Sequence, residues 1–197
     1  MKIRAIITDF DGTLVDTFEA NYQAYHQAFA NCGLCITREQ YWECFGCRFD
    51  AFMERMGIRG NSMRERIRKE KAYLYPQCFD SLIPNQPLIS FISKLKASGI
   101  KTAIASTAQQ ENLMNALSHL RLTHLFDEII AGTHVMRGKP DPEIYLNAME
   151  ILGVCPQEAL IFEDTDVGLQ AADASGANYL RITSAFFNCH EDPNQFL

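Results

Sequence analysis

From residue 84 onward the chain alternates between helix-patterned segments and short apolar runs, and few folds accept that rhythm. Leu88, Ile89, Ile92 and Leu95 lie at helical spacing and predict a helix over 86–98, stopped at Gly99, a residue suited to the left-handed backbone past a helix end. KTAIAS (101–106) reads as a strand, 109–120 as a helix and EIIAG (128–132) as a strand. A helix follows over 142–152, with Asp141 as its N-cap, Pro142 in its first turn and Gly153 closing it. ALIFED (159–164), a helix over 167–175 ending at Gly176, and YLRI (179–182) complete the series, and residues 3–8 supply one more strand at the front. Such alternation implies an α/β fold: a doubly wound, Rossmann-like parallel sheet with helices on both faces and ligands at the carboxyl ends of its strands.

Between the first strand and that series the texture differs. Phe18, Tyr22, Tyr25, Ala28 and Phe29 recur at helical spacing, Thr37-x-x-Gln40 has the form of a capping box, and 62–75 is a charged helical run. The expected organisation is therefore a core domain of residues 1–16 and 83–197, split by an inserted α-helical cap domain of residues 17–82. Pairs such as Glu65/Lys69 and Arg66/Glu70 make the segment from Arg64 to Lys71 read as a solvated face. Cys32-x-x-Cys35 and Cys44-x-x-Cys47 are too close together for the usual four-cysteine zinc spacing and read as thiols of the helical block.

A formal net charge of −6 argues against electrostatic affinity for nucleic acid or an acidic membrane, so an anionic ligand would need local cations. No apolar run reaches the ~18 residues of a membrane span, and the seven cysteines fit a reducing compartment better than a disulfide framework. These features lead us to expect a cytoplasmic protein.

The strand ends carry the chemistry. IITDFDGTLVDT (6–17) ends a strand with Asp9 and Asp11, which as residues i and i+2 can face one pocket while Phe10 points away. The next strand delivers Ser106 and Thr107, Lys139 follows the third, and the fourth ends in Glu163 and Asp164. Carboxylates this close repel unless a cation sits among them. Clustered carboxylate and carbonyl oxygens are hard ligands suited to Mg²⁺. With a lysine and a hydroxyl they are what phosphoryl transfer requires, and a carboxylate can itself be the nucleophile.

DFDGTLVDT, ASTAQ, GKPDP and FEDTDVG, in that order, resemble the four motifs of the haloacid dehalogenase superfamily, and the helical block resembles the small cap of its β-phosphoglucomutase and phosphatase-like branch. The resemblance runs from Ile3 to about Ile182. It implies that Asp9 is the nucleophile, forming an aspartyl-phosphate. Asp11 would serve as general acid for the leaving alcohol and then as base for water. Mg²⁺ would be held by Asp9, the Asp11 carbonyl and Asp164, with Glu163 direct or through water. Ser106 and the Thr107 amide would bind the phosphoryl oxygens, with Lys139 pairing both phosphoryl group and Asp9, Gly12 permitting the turn, and Arg48 contacting phosphate or sugar from the cap.

Asp11 points to phosphoryl transfer rather than dehalogenation, because a halide leaves without a proton. Asn21 stands where sugar-phosphate mutases of this branch carry a histidine, and Gly46-Cys47-Arg48 shortens their Gly-x-x-Arg pattern. Both departures favour hydrolysis. The expected function is a Mg²⁺-dependent phosphatase of small phosphate monoesters, of sugar-phosphate, phosphoglycolate or nucleotide type. The alternatives are a β-phosphoglucomutase-like mutase and, less well matched, a non-catalytic phospho-acceptor module. The expected partner is the small phosphate ester, with no nucleic acid or membrane, and the chain acting as monomer or homodimer.

Overall fold

The computed structural model describes residues 2–183 and Phe187. Residues 184–186 and 188–197, which the sequence reading assigns to the core domain, lie outside the described residues.

β1 (Ala5–Thr8) is buried throughout and lies at the centre of a five-stranded sheet. On one side it pairs with β4 (Lys101–Ala105), which pairs with β5 (Glu128–Ile130); on the other it pairs with β6 (Ala159–Glu163), which pairs with β7 (Asn178–Arg181). Every pairing is parallel, and Ile7 sits between Ala103 and Ile161. The period-two alternation of each strand sends neighbouring side chains to opposite faces. Ile6, Ile104 and Phe162 pack against α5 (Gln86–Ala97) and α6 (Gln110–His119) through Leu88, Ile92, Leu113 and Leu117. Ile7, Ala103 and Ile161 pack on the other face against α7 (Glu143–Leu152) and α8 (Asp166–Ala174) through Ile144, Ala148 and Ala171. The doubly wound α/β expectation is met, with helix and strand bounds shifted by a residue or two.

At α7 the structure differs in detail. Pro142 occupies the N-cap position, and Asp141, one residue earlier, accepts the Glu143 amide at 3.0 Å. Proline lacks an N–H and suits the helix entrance, so the carboxylate caps from one position further out.

Residues 18–81 contain only helices and 3₁₀ turns: α1 (Phe18–Asn31), α2 (Arg38–Trp42), α3 (Phe49–Arg55), α4 (Asn61–Leu74) and a 3₁₀ stretch, Tyr75–Ser81. The capping box at Thr37 and Gln40 forms in both directions. Phe18, Phe29, Tyr41, Phe52, Met53 and Ile67 make a separate apolar cluster for this block. Its five cysteines form no disulfide, and Cys32 and Cys44 are buried.

A short antiparallel ribbon, unseen in the sequence, joins the two strands that lead into and out of the block: β2 (Val15–Asp16) pairs with β3 (Ile83–Pro84). Asn85 fastens it, donating to the Thr13 carbonyl at 3.0 Å while its side-chain oxygen caps α5 at Leu88. No described helix is long and apolar enough to cross a membrane.

Candidate active site

The chain leaves β1 for β4 and β5 on one side and returns to β6 on the other, so the crevice between the ends of β1 and β6 is the topological switch point of the sheet. Asp9 and Asp164 stand there.

Asp9 is only 6 % exposed, and its Oδ1 accepts a hydrogen bond from Lys139 Nζ at 2.6 Å. Lys139 also donates to Glu163 Oε1, which in turn accepts the Tyr145 hydroxyl at 2.9 Å. The other Glu163 oxygen takes the amides of Asp164 and Thr165 and the Thr165 hydroxyl. Glu163 is thus saturated with donors and holds Lys139 in place. Asp164 accepts the Thr13 hydroxyl on Oδ1 at 2.8 Å and leaves its second oxygen facing Gly12. Gly12 has φ +84°, and a Cβ there would overlap the Asp164 carboxylate, so both backbone conformation and close approach require glycine.

Asp9, Glu163 and Asp164 each offer an oxygen within 4.8 Å of the others, and they are the one such acidic group among the described residues. Two buried carboxylates and one half-buried one, Asp164, gather around a single ammonium. Burial drives the Asp9 carboxyl well above the usual range, Lys139 opposes that, and Glu163 and Asp164 reinforce it. Asp164 is pushed up to about 6, first by burial and then by Glu163. Burial also works on Glu163, but the Lys139 charge and its hydrogen bonds win and hold it below the usual value. This surplus of negative charge, made of hard oxygen donors, fits a divalent cation at Asp9 and Asp164.

Asp11 turns the other way, toward the helical block. Its Oδ1 accepts the Thr17 hydroxyl and the Asn21 amide (3.3 Å), and Ser106 Oγ lies 3.4 Å from Oδ2. Ser106 is fully buried and accepts the Ala108 amide at 3.1 Å. Thr107 lines the same crevice, and its carbonyl leaves no room for a side chain at Gly132. Phe10 points into the core, as alternation predicts.

Arg48 departs from expectation. Its guanidinium donates to the carbonyls of Gly132 (2.9 Å), Val135 (3.4 Å) and Met136 (3.3 Å), so it clasps the loop after β5 instead of facing Asp9. Five donors in a planar fork suit carbonyls arrayed along a loop as well as they suit a phosphate.

Beneath the helical block a cavity of about 90 Å³ is lined by Asp11, Asn21, Tyr25, Tyr41, Lys71 and Tyr75, among others. Lys71 overturns the reading of 64–71 as a wholly solvated face: it is 6 % exposed, its Nζ 3.6 Å from the centre of the Tyr75 ring. Burial lowers its pKa to about 7, with Asp11 and Cys78 pulling the other way. The signal was available in the spacing, because Met63, Ile67, Lys71 and Tyr75 follow one another at intervals of four. Tyr145, Thr13 and Asn85 were also missed; nothing local distinguishes them from ordinary helix, turn and loop residues.

Residues 6–182 match the family described as haloacid dehalogenase-like hydrolase. The chain belongs to that family. It is 30% identical over 181 residues to a phosphorylated carbohydrates phosphatase of Thermotoga maritima, covering 88% of this chain and 82% of that protein. It is 32% identical over 203 residues to protein CbbY of Rhodobacter capsulatus, covering 94% and 88% respectively. Among solved structures, that of CbbY from Rhodobacter sphaeroides in complex with phosphate superposes with a TM-score of 0.85 at 26% identity, over 96% of this chain and 90% of the other. These relatives place this haloacid dehalogenase-like chain in the phosphatase branch, and by class it is a phosphoric monoester hydrolase.

Proposed function

We propose that this protein hydrolyses small phosphate monoesters, of sugar-phosphate or similar size, with Mg²⁺ as cofactor and an aspartyl-phosphate on Asp9. The observation that carries the reading is the buried Asp9 carboxylate, oriented by Lys139 through one oxygen and facing Asp164 across the switch point.

In this reading Asp9 attacks phosphorus, forming its O–P bond as the ester O–P bond breaks. Asp11 gives a proton to the departing alcohol oxygen and later takes one from the water that cleaves the acyl phosphate. Lys139 aims Asp9 and balances charge on the phosphoryl oxygens, with Ser106 and the Thr107 backbone as donors. Asp9, Asp164 and the Asp11 carbonyl would hold Mg²⁺, with Glu163 supporting from behind through Lys139. When bound, the ion supplies charge neutralisation that brings the anionic ester against the carboxylates. Asn21 favours hydrolysis over mutase activity, since its amide touches Asp11 but cannot exchange a proton with it. The division into a core of 1–16 and 83–197 and a cap of 17–82 belongs to the same proposal, the cap limiting water around the bound ester.

The test is turnover of p-nitrophenyl phosphate. Activity should vanish in EDTA, return with Mg²⁺, and be lost in Asp9→Asn with circular dichroism unchanged. Metal-independent turnover, or an active Asp9→Asn, would refute the assignment.

A further inference from the structure

Cys44-Phe45-Gly46-Cys47 is a motif of the helical block that hydrolysis leaves unused. The cysteines there do not converge on a metal: among the described residues, Asp9, Glu163 and Asp164 are the one group of three or more ligands close enough to share an ion. The two Cys-x-x-Cys pairs differ in backbone. The Cys47 amide donates to the Cys44 carbonyl at 3.0 Å, and Gly46, the third residue of that turn, has φ +81°, as a type II turn requires. A turn closed in this way holds its first and last Cα atoms within about 7 Å of each other. Disulfides span about 4.4–6.8 Å between Cα atoms, so this pair stands at bridging distance. Cys32 and Cys35 lack such a turn: Cys32 is buried at the end of α1, Cys35 is exposed, and no backbone hydrogen bond among the described residues joins them.

The two thiols are unequal. Cys44 is buried in the aromatic cluster of the helical block, whereas Cys47 packs against that cluster and stays half-exposed. Burial and the neighbouring Cys47 push the Cys44 thiol up, with Arg55 opposing them. Cys47 is therefore the thiol placed to react first and Cys44 the one placed to follow. All four residues of the turn line the crevice that holds Asp11. The turn also joins the helical block to the core on two sides. A Cβ on Gly46 would lie 3.5 Å from the Thr165 methyl, next to Asp164 in the chain, and Arg48, which follows Cys47, clasps the loop after β5. Whatever fixes residues 44–47 acts on both walls of the crevice.

We infer that Cys44 and Cys47 are a modification site, forming a reversible disulfide that lowers turnover, with a low-molecular-weight disulfide as the oxidant. Cys47 loses its proton to solvent, and the thiolate attacks one sulfur of the oxidant, forming a mixed disulfide and releasing a thiolate that takes up a proton. Cys44, deprotonated in turn, attacks the Cys47 sulfur, forming the internal S–S bond and releasing the second thiol. Two cysteine thiols give up two electrons, one disulfide is reduced to two thiols, and the protons balance. A cross-linked turn cannot loosen to admit the ester and tighten over it, so the oxidised enzyme is the slower one. The cross-link needs nothing from the phosphatase reading; the loss of turnover rests on it.

The test incubates the folded full chain in oxidised glutathione, then divides it between peptide mass spectrometry and p-nitrophenyl phosphate turnover with Mg²⁺. The expected product is a peptide pair joined through Cys44 and Cys47, lighter by two hydrogens than the reduced form and restored by dithiothreitol. kcat/KM should fall severalfold on oxidation and recover on reduction. The ratio of oxidised to reduced kcat/KM, taken within each preparation so that partial misfolding cancels, should rise to one in Cys47→Ala and keep its wild-type value in Cys35→Ser. Absence of the Cys44–Cys47 link, or a stable glutathione adduct on Cys47 in its place, overturns the inference. So does a link that leaves kcat/KM unchanged, or a response to oxidant that survives in Cys47→Ala. An enzyme inactive in both redox states refutes the phosphatase reading, while the mass of the linked peptides still decides whether the disulfide forms.

Discussion

Several side chains in this crevice are held where burial disfavours their charged forms. Lys71 is the clearest. Its folded-state pKa, about 7, lies below the ordinary lysine value of 10.5. Below pH ~7 both folded and unfolded chains carry the proton, and the fold bears the burial cost of the ammonium. Between those values the unfolded chain binds the extra proton, so stability climbs with pH. Asp11 and Cys78 are the charged or titratable groups that offset the effect, with the Tyr25 and Tyr75 rings alongside. Lys71→Met should therefore be more stable than the wild type at pH 7, by on the order of 2 kcal/mol or about 5 °C in Tm. The gap should close by pH 10, as thermal melts at the two pH values would show. A lysine retained for packing alone would give the opposite sign.

At the level of elements, the turn after β1 and the strand ends of β4 and β6 do the positioning, and the β2–β3 ribbon ties the helical block to them. Asn85 is fully buried and carries two duties there, the Thr13 carbonyl and the α5 cap. Losing an N-cap costs about 0.5–2 kcal/mol and orphaning a buried carbonyl ~1–3 kcal/mol. Asn85→Ala should thus lose roughly 2–4 kcal/mol in urea unfolding. Because Thr13 also donates to Asp164, the same variant should weaken Mg²⁺ dependence, read as a higher Mg²⁺ concentration for half-maximal turnover. Asn85→Asp keeps the cap acceptor but not the donor, and should recover only the capping share.

Across the whole molecule, the active crevice exists only where helical block and core meet. Arg48 is the visible clasp between them, reaching the carbonyls of Gly132, Val135 and Met136. Gly138 fits against its stem, where a Cβ would collide with the Arg48 side chain. Arg48→Met should loosen closure without touching Asp9. The expected outcome is a severalfold rise in KM for a small ester, with the Tm changed by no more than a few degrees. A loss of turnover like that of Asp9→Asn would instead place Arg48 among the groups on the phosphoryl oxygens.

The amino-acid sequence by itself determined the architecture and the chemical core of the site. Strand and helix periods are local properties, and Asp9, Asp11 and Asp164 sit at strand ends that any parallel sheet must bring to one edge, with Lys139 in the loop that follows β5. Tertiary structure decided what depends on packing between distant segments. Arg48 found backbone carbonyls rather than a phosphate-facing position, Glu163 became the saturated support of Lys139, and Lys71 was carried from an apparently solvated helix into a buried position beside the crevice. The physical reason is range. Periodicity reports which face of an element is apolar, whereas the partner of a charged side chain is chosen by whatever the other elements place within about 3 Å of it.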